Sequence, residues 1–206
     1  MSFPQRTYGK AGDYLAAYRQ TIMEAWQDID LDAVSRAGDM LEKAIADGRT
    51  IYACGNGGSA AISNHLLCDF FKGIQTDTPL RPRVISLASP IELITAIAND
   101  MAYEEVFAYQ LRGMAQPGDV LMTISSSGNS ENIVRAIGWA RDNQIGSIAM
   151  TGFDGGRSAR LADVKLHVPA ANYGVVEDVH QSMMHILAQY LRHRAMAPEL
   201  IPQRRF

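Results

Sequence analysis

The sequence predicts a doubly wound α/β fold: a parallel five-stranded sheet flanked by helices, with a helical extension at its N-terminus. Three observations carry that expectation. Short β-rich runs alternate with longer helical ones from residue 50 onward, and a β-α-β-α order calls for right-handed crossovers between parallel strands. The run Val120-Leu121-Met122-Thr123-Ile124 has no polar alternation, as expected of a strand covered on both faces. Two of the strand-to-helix junctions carry loops rich in glycine or serine.

Taken in order, the first 48 residues read as helix. Leu15, Tyr18, Ile22 and Trp26 recur at three- and four-residue spacing. A second helix starts at Asp30-Leu31-Asp32, where Asp can cap, and runs through Val34, Ala37, Met40, Leu41, Ala44 and Ile45 to a stop at Gly48. Strands are expected over 50–54, 84–87, 119–125, 147–150 and 164–168, and helices over 59–71, 91–98, 103–114, 129–143 and about 175–194. An apolar helical hairpin beside a complete α/β core needs something to bury against. Residues 1–48 are therefore expected as a subunit-contact extension, 49–196 as the main domain and 197–206 as a frayed tail.

Composition narrows the function. The chain has 206 residues, 47% hydrophobic and 20% charged, which is one large globular domain. A formal charge of −3 supplies no field to gather nucleic acid or coat an anionic membrane, so neither is expected as a direct partner. Cys54 and Cys68 are too few for a disulfide scaffold and lack zinc-finger spacing; both are expected to be inert. The start has no basic region followed by an apolar one, and no apolar run approaches the roughly 18 residues that span a bilayer. A soluble, cytoplasmic protein is the expectation.

Both loops look built for an anion. In Cys54-Gly55-Asn56-Gly57-Gly58-Ser59 the glycines let a ligand approach the backbone amides, and the following helix start faces it with unpaired N–H groups. An ordinary βα turn would need one glycine. No Lys follows, and the spacing is not GxGxxG, so no nucleotide cofactor is expected. In Ser125-Ser126-Ser127-Gly128-Asn129-Ser130 several hydroxyls can donate to phosphate oxygens, where a helix cap alone would need one. Ligands of open α/β sheets bind at the carboxyl ends of strands, where both loops lie. Together they predict an uncharged cradle for a small phosphorylated metabolite.

CGNGGSAAISNH, AIAND, SSSGNSEN, MTGFDGG and EDVHQSMMHIL resemble, in this order and over nearly the whole chain, the sugar-isomerase (SIS) domain family, and within it the phosphoheptose isomerase branch. The resemblance implies a flavodoxin-like sheet and a homotetramer made partly by the N-terminal helices. It implies interconversion of sedoheptulose 7-phosphate and D-glycero-D-manno-heptose 7-phosphate through an enediol, an early step toward the heptose of lipopolysaccharide or another surface glycan. It assigns phosphate and hydroxyl binding to Ser59, Ser125, Ser127 and Ser130, and sugar contacts to Asn56 and Asp100. Gly57, Gly58, Ser126 and Glu177 complete the expected substrate site. Asp69 stands where these isomerases place a catalytic Glu, His185 matches the second catalytic residue, and His65 matches a residue of a zinc site that some members use.

The chemistry of isomerisation asks for the same residue types. A base must remove the proton beside the carbonyl, and a second group must move protons between the oxygens. His65 and Asp69, four apart, share a helix face. Glu177, His180, Gln181 and His185 fall within about 140° of one another at about 100° per residue. Asp69 is the expected base and His185 the acid, with zinc a possible aid at His65, Asp69, Glu177 and His185. A surface pair for His65–Asp69, and hydrogen-bonded core histidines at 180 and 185, are the bland alternatives. The chain departs from the branch at three places: Asp69 shortens the usual Glu, Glu177 replaces Gln, and Gly174-Val175 replaces an Asp-Arg pair. The last suggests a different phosphosugar as a competing substrate. A non-catalytic relative that binds DnaA is the competing class, and it lacks the pair found here at Asp69 and His185.

Overall fold

The computed structural model describes residues 3–206. All six residues of β1 (Thr50–Gly55) and all six of β3 (Val120–Ser125) are buried, which puts these strands in the middle of the sheet. β2 (Arg83–Ser86) alternates exposed and buried side chains, the signature of an edge. With β4 (Gly146–Thr151) and β5 (Val164–His167) they form one parallel sheet in the order β2-β1-β3-β4-β5. The chain reverses its direction of travel between β1 and β3, so the loops after these two strands part and leave a crevice.

Alternate residues of the central strands feed two cores. Ile51, Ala53, Met122 and Ile124 face α1 (Ala11–Gln27), α2 (Leu31–Ala46), α3 (Gly58–Cys68) and α8 (Tyr173–Ala195). Tyr52, Cys54 and Leu121 face α4 (Ile91–Asp100), α5 (Ala108–Met114) and α6 (Glu131–Asp142). A short α7 (Gly156–Leu161), not foreseen in the sequence, packs on α6, β4 and β5.

Four boundaries need correction. The division at residue 48 falls inside a layer of the fold: Asp30 caps α2 by accepting from Ala33 N at 3.0 Å, and Ala33, Ala37, Leu41, Ala44 and Ile45 enter the same core as the strands. A helix that buries a Leu41 to 0% exposure contributes roughly 1.5–3 kcal/mol from that side chain alone, so α2 is core rather than appendage. The tail is not frayed. A 3-10 helix at Pro198–Gln203 returns the chain to α8, where Arg192 donates to Arg205 O at 3.1 Å and lies 4.7 Å from the Phe206 ring centroid. Finally, the helix expected over 59–71 leaves α geometry at Asp69, and Asp69–Gly73 form a π turn. Such turns insert one extra residue and re-aim the side chains around it. The 103–114 helix is likewise split, into a 3-10 turn at Tyr103–Glu105 and α5.

Candidate active site

The cradle is built from the two diverging loops. After β1 the backbone takes φ +55° at Gly57, a conformation open to glycine, and so swings into α3. A Cβ on Gly58 would collide with the Glu177 carboxylate, so glycine there admits α8 to the loop. After β3, Ser125 Oγ accepts from Gly128 N at 3.2 Å and Ser127 Oγ from Asn129 N at 3.3 Å, which curls the serine loop back on itself. Between the loops lies a cavity of about 140 Å³ lined by Asn56 and Ser59 on one side and Ser125, Ser126, Ser127 and Ser130 on the other, with Tyr173 and Glu177 of α8 at its rim. Ser126 Oγ is buried there without a hydrogen-bond partner among the described residues. A buried hydroxyl in that state costs free energy until a ligand oxygen meets it.

Asn56, which lines the cavity, also has a structural role. Its amide exchanges two hydrogen bonds with Asn132, at 3.0 and 2.9 Å, and accepts a third from Tyr103 Oη at 2.9 Å. That pair ties the two loops together across the crevice. Asp100 lies at the exposed end of α4, accepts from its neighbour Asn99 at 2.8 Å, and does not line the cavity. The segment after α4 reaches the cradle through Tyr103 instead. Asn132 and Tyr103 were not singled out in the sequence; only their place beside the loops could have marked them. Burial, then the neighbouring Asp178, pushes the Glu177 carboxyl above its ordinary value.

The Gly174-Val175 departure has a physical basis. Val175 is buried in the core, and a Cβ at Gly174 would stand 2.8 Å from Tyr18 Oη. Tyr18, from α1, donates that hydroxyl to Asp178 at 2.8 Å. The space of a polar side chain at 174 is thus taken by the N-terminal helix.

Two to three helical turns farther along α3 and α8 stands a second constellation. Asp69, at the start of the π turn, accepts from His185 Nδ1 at 2.6 Å and faces His65 Nε2 at 3.4 Å. The two imidazoles meet edge to face at 4.9 Å between centroids, and Asp69 and His185 keep 25% and 36% of their side chains accessible. One donor atom from each of His65, Asp69 and His185 lies within 4.8 Å of the others. Two imidazoles and a carboxylate at that spacing fit an open divalent-cation site. Glu177, expected as a fourth ligand, is not in this group: it stands eight residues and about 12 Å up α8, against Gly58. His180 also stays apart. It is fully buried, donates Nε2–H to Thr151 O at 3.1 Å, and burial lowers its pKa to about 4. Gln181, only noted in the sequence for its place on the helix face, proves central: its amide nitrogen lies 3.0 Å from His65 Nδ1 and 2.9 Å from His185 Nε2. Of the cysteines, Cys54 is buried, which pushes its thiol pKa up, whereas Cys68 is exposed.

Comparison with known proteins places this geometry. The SIS domain family matches residues 13–152. The phosphoheptose isomerase of Colwellia psychrerythraea is 41% identical over 162 residues, covering 77% of this chain and 82% of that one. Among solved structures, the phosphoheptose isomerase of Neisseria gonorrhoeae superposes with a TM-score of 0.80 at 30% identity, over 87% of this chain and 95% of the other. That of Francisella tularensis gives 0.81 at 27% identity, over 88% and 96%. A serine-lined cavity at the switch point, a His65–Asp69–His185 cluster farther along the same helices and these likenesses agree: the chain belongs to the SIS domain family, alongside the phosphoheptose isomerases.

Proposed function

We propose that this protein is an aldose–ketose isomerase that converts sedoheptulose 7-phosphate to D-glycero-D-manno-heptose 7-phosphate through an enediol. The observation that carries the reading is the 2.6 Å contact of Asp69 with His185, on the same two helices that border the serine-lined cavity. The phosphate sits among the hydroxyls of Ser59, Ser125, Ser126, Ser127 and Ser130 and the N–H groups that open α3. The sugar chain extends toward Asp69. Asp69 removes the proton from the carbon beside the carbonyl and returns it to the neighbouring carbon. His185, whose single Nδ1–H rests on Asp69, takes the proton of the hydroxyl beside the carbonyl at Nε2 and delivers it from there to the carbonyl oxygen as charge develops. A divalent cation such as zinc, held by His65, Asp69 and His185, would supply electrophilic polarisation of that oxygen.

The assembly expected for such an enzyme is a homotetramer, and exposed apolar side chains on the N-terminal hairpin support an interface there: Leu15, Met23 and Leu31 are 65%, 51% and 74% accessible. Light scattering on the purified protein gives the mass. Among the described residues no helix is long and apolar enough to cross a membrane. A cytoplasmic enzyme feeding heptose to a surface glycan is the setting this reading implies.

The test is proton NMR in heavy water with sedoheptulose 7-phosphate. Aldose bearing solvent deuterium beside the carbonyl is the expected product, and Asp69→Asn abolishes it. Bound ligand without turnover in the wild-type protein overturns the enzyme reading and favours a phosphosugar-binding or DnaA-binding regulator.

A further inference from the structure

The amide of Gln181 touches both imidazoles of the cluster, and an amide nitrogen can only donate. His65 Nδ1 and His185 Nε2 therefore accept, and each neutral ring carries its single proton on the other nitrogen. Those other nitrogens, His65 Nε2 and His185 Nδ1, are the ones that face Asp69, at 3.4 and 2.6 Å. In this arrangement both rings aim N–H groups at the carboxylate. It is consistent for proton transfer and wrong for a cation: a metal shared with Asp69 would need lone pairs on those same two nitrogens. Presenting them requires each ring to move its proton to the far side, toward Gln181. The amide would then meet two N–H groups, and it can accept both only through Oε1, after a half-turn about its last side-chain bond. No proton is gained or lost in the exchange.

We propose that Gln181 is a positioning residue that sets which nitrogen of His65 and His185 bears the proton, and so selects between an acid–base cluster and a divalent-cation site. The inference deepens the isomerase reading, since it rests on Asp69 and His185 as the working pair. Two features of the fold make Gln181 able to act this way. It is one turn before His185 on α8, which fixes that contact within a single helix. It also spans to α3, so one side chain reports to both histidines at once. Glu177, a further turn up α8, is held against Gly58 and leaves the cluster without a carboxylate of its own on that helix.

The experiment uses the full chain without substrate: zinc affinity by competition with a chromophoric chelator, and nitrogen-15 NMR of the imidazoles in histidine-labelled protein. Metal-free wild-type protein is expected to show protons on His65 Nε2 and His185 Nδ1. On zinc binding they should shift to His65 Nδ1 and His185 Nε2. Gln181→Leu, which removes the partner of both rings, should bind zinc about 10–100-fold more weakly. Gln181→Glu, a permanent acceptor of nearly the same size, should bind at least as tightly as wild type. Unchanged affinity in both variants, or protons on the same nitrogens with and without zinc, overturns the inference. So does wild-type protein that binds no zinc. These readouts need no turnover: an inactive protein with the expected proton exchange defeats the isomerase reading alone, and an active one with fixed protons defeats this inference alone.

Discussion

The serine cradle and the His65–Asp69–His185 cluster share α3 and α8 but are made of different materials. The cradle is backbone and short hydroxyls at the ends of two fully buried strands, and its loops are bridged by the Asn56–Asn132 pair. Five serines line it, so each contributes a fraction of the grip. The cluster is three ionisable side chains on helices, partly open to water, with one amide behind them. Among the described residues Asp69 is the single carboxylate of the cluster. Redundancy in the cradle and singularity at Asp69 imply that single substitutions will act very unequally between the two.

The largest effect should fall on the singular side. Asp69→Asn is expected to lower kcat by about 10²–10⁴-fold with KM little changed, because the amide cannot take a proton. Steady-state kinetics measures both, and a raised KM with normal kcat would erase the contrast. His180 tests α8, the element common to both regions. Its pKa is depressed to about 4 by burial, so the unfolded chain binds the extra proton first as pH falls. Stability should be intact above pH ~6.5 and decline by on the order of 3 kcal/mol as pH drops toward 4, while His180→Gln flattens that slope in acid denaturation. Next comes the bridge: Asn132→Ala should raise KM for the sugar phosphate about tenfold and leave kcat nearly unchanged, since it removes two hydrogen bonds that hold the loops in register. The smallest effect belongs to a single hydroxyl. Ser126→Ala should raise KM only a few-fold, about 1 kcal/mol, with a small gain in stability because the orphaned Oγ disappears. A Ser126→Ala loss as large as that of Asp69→Asn would mean the cradle is not redundant.

Much of this could be read in the sequence because it rests on local rules. An unbroken apolar run gave β3, glycine and serine clusters after strands gave the cradle, and an i,i+4 spacing put His65 beside Asp69. What escaped depends on distance in space. Nothing local says that α2 enters the core, that Arg192 will hold the C-terminal residues, or that Gln181 will meet a histidine 116 residues away. The π turn at Asp69 escaped for another reason: its residues have helical propensity, and the extra residue is imposed by packing against α8. That Asp100 stands outside the cavity lining was not legible either, since the chain turns after α4 and delivers Tyr103 to Asn56.

The bracing of the cradle has an evolutionary consequence. Its two loops are secured by the sheet and by Asn56 and Asn132, and none of those bonds passes through Asp69 or His185. Two point changes could therefore silence the chemistry and leave a folded receptor for the same metabolite. A catalyst of this architecture stands a short mutational walk from a sensor, and the reverse walk is equally short.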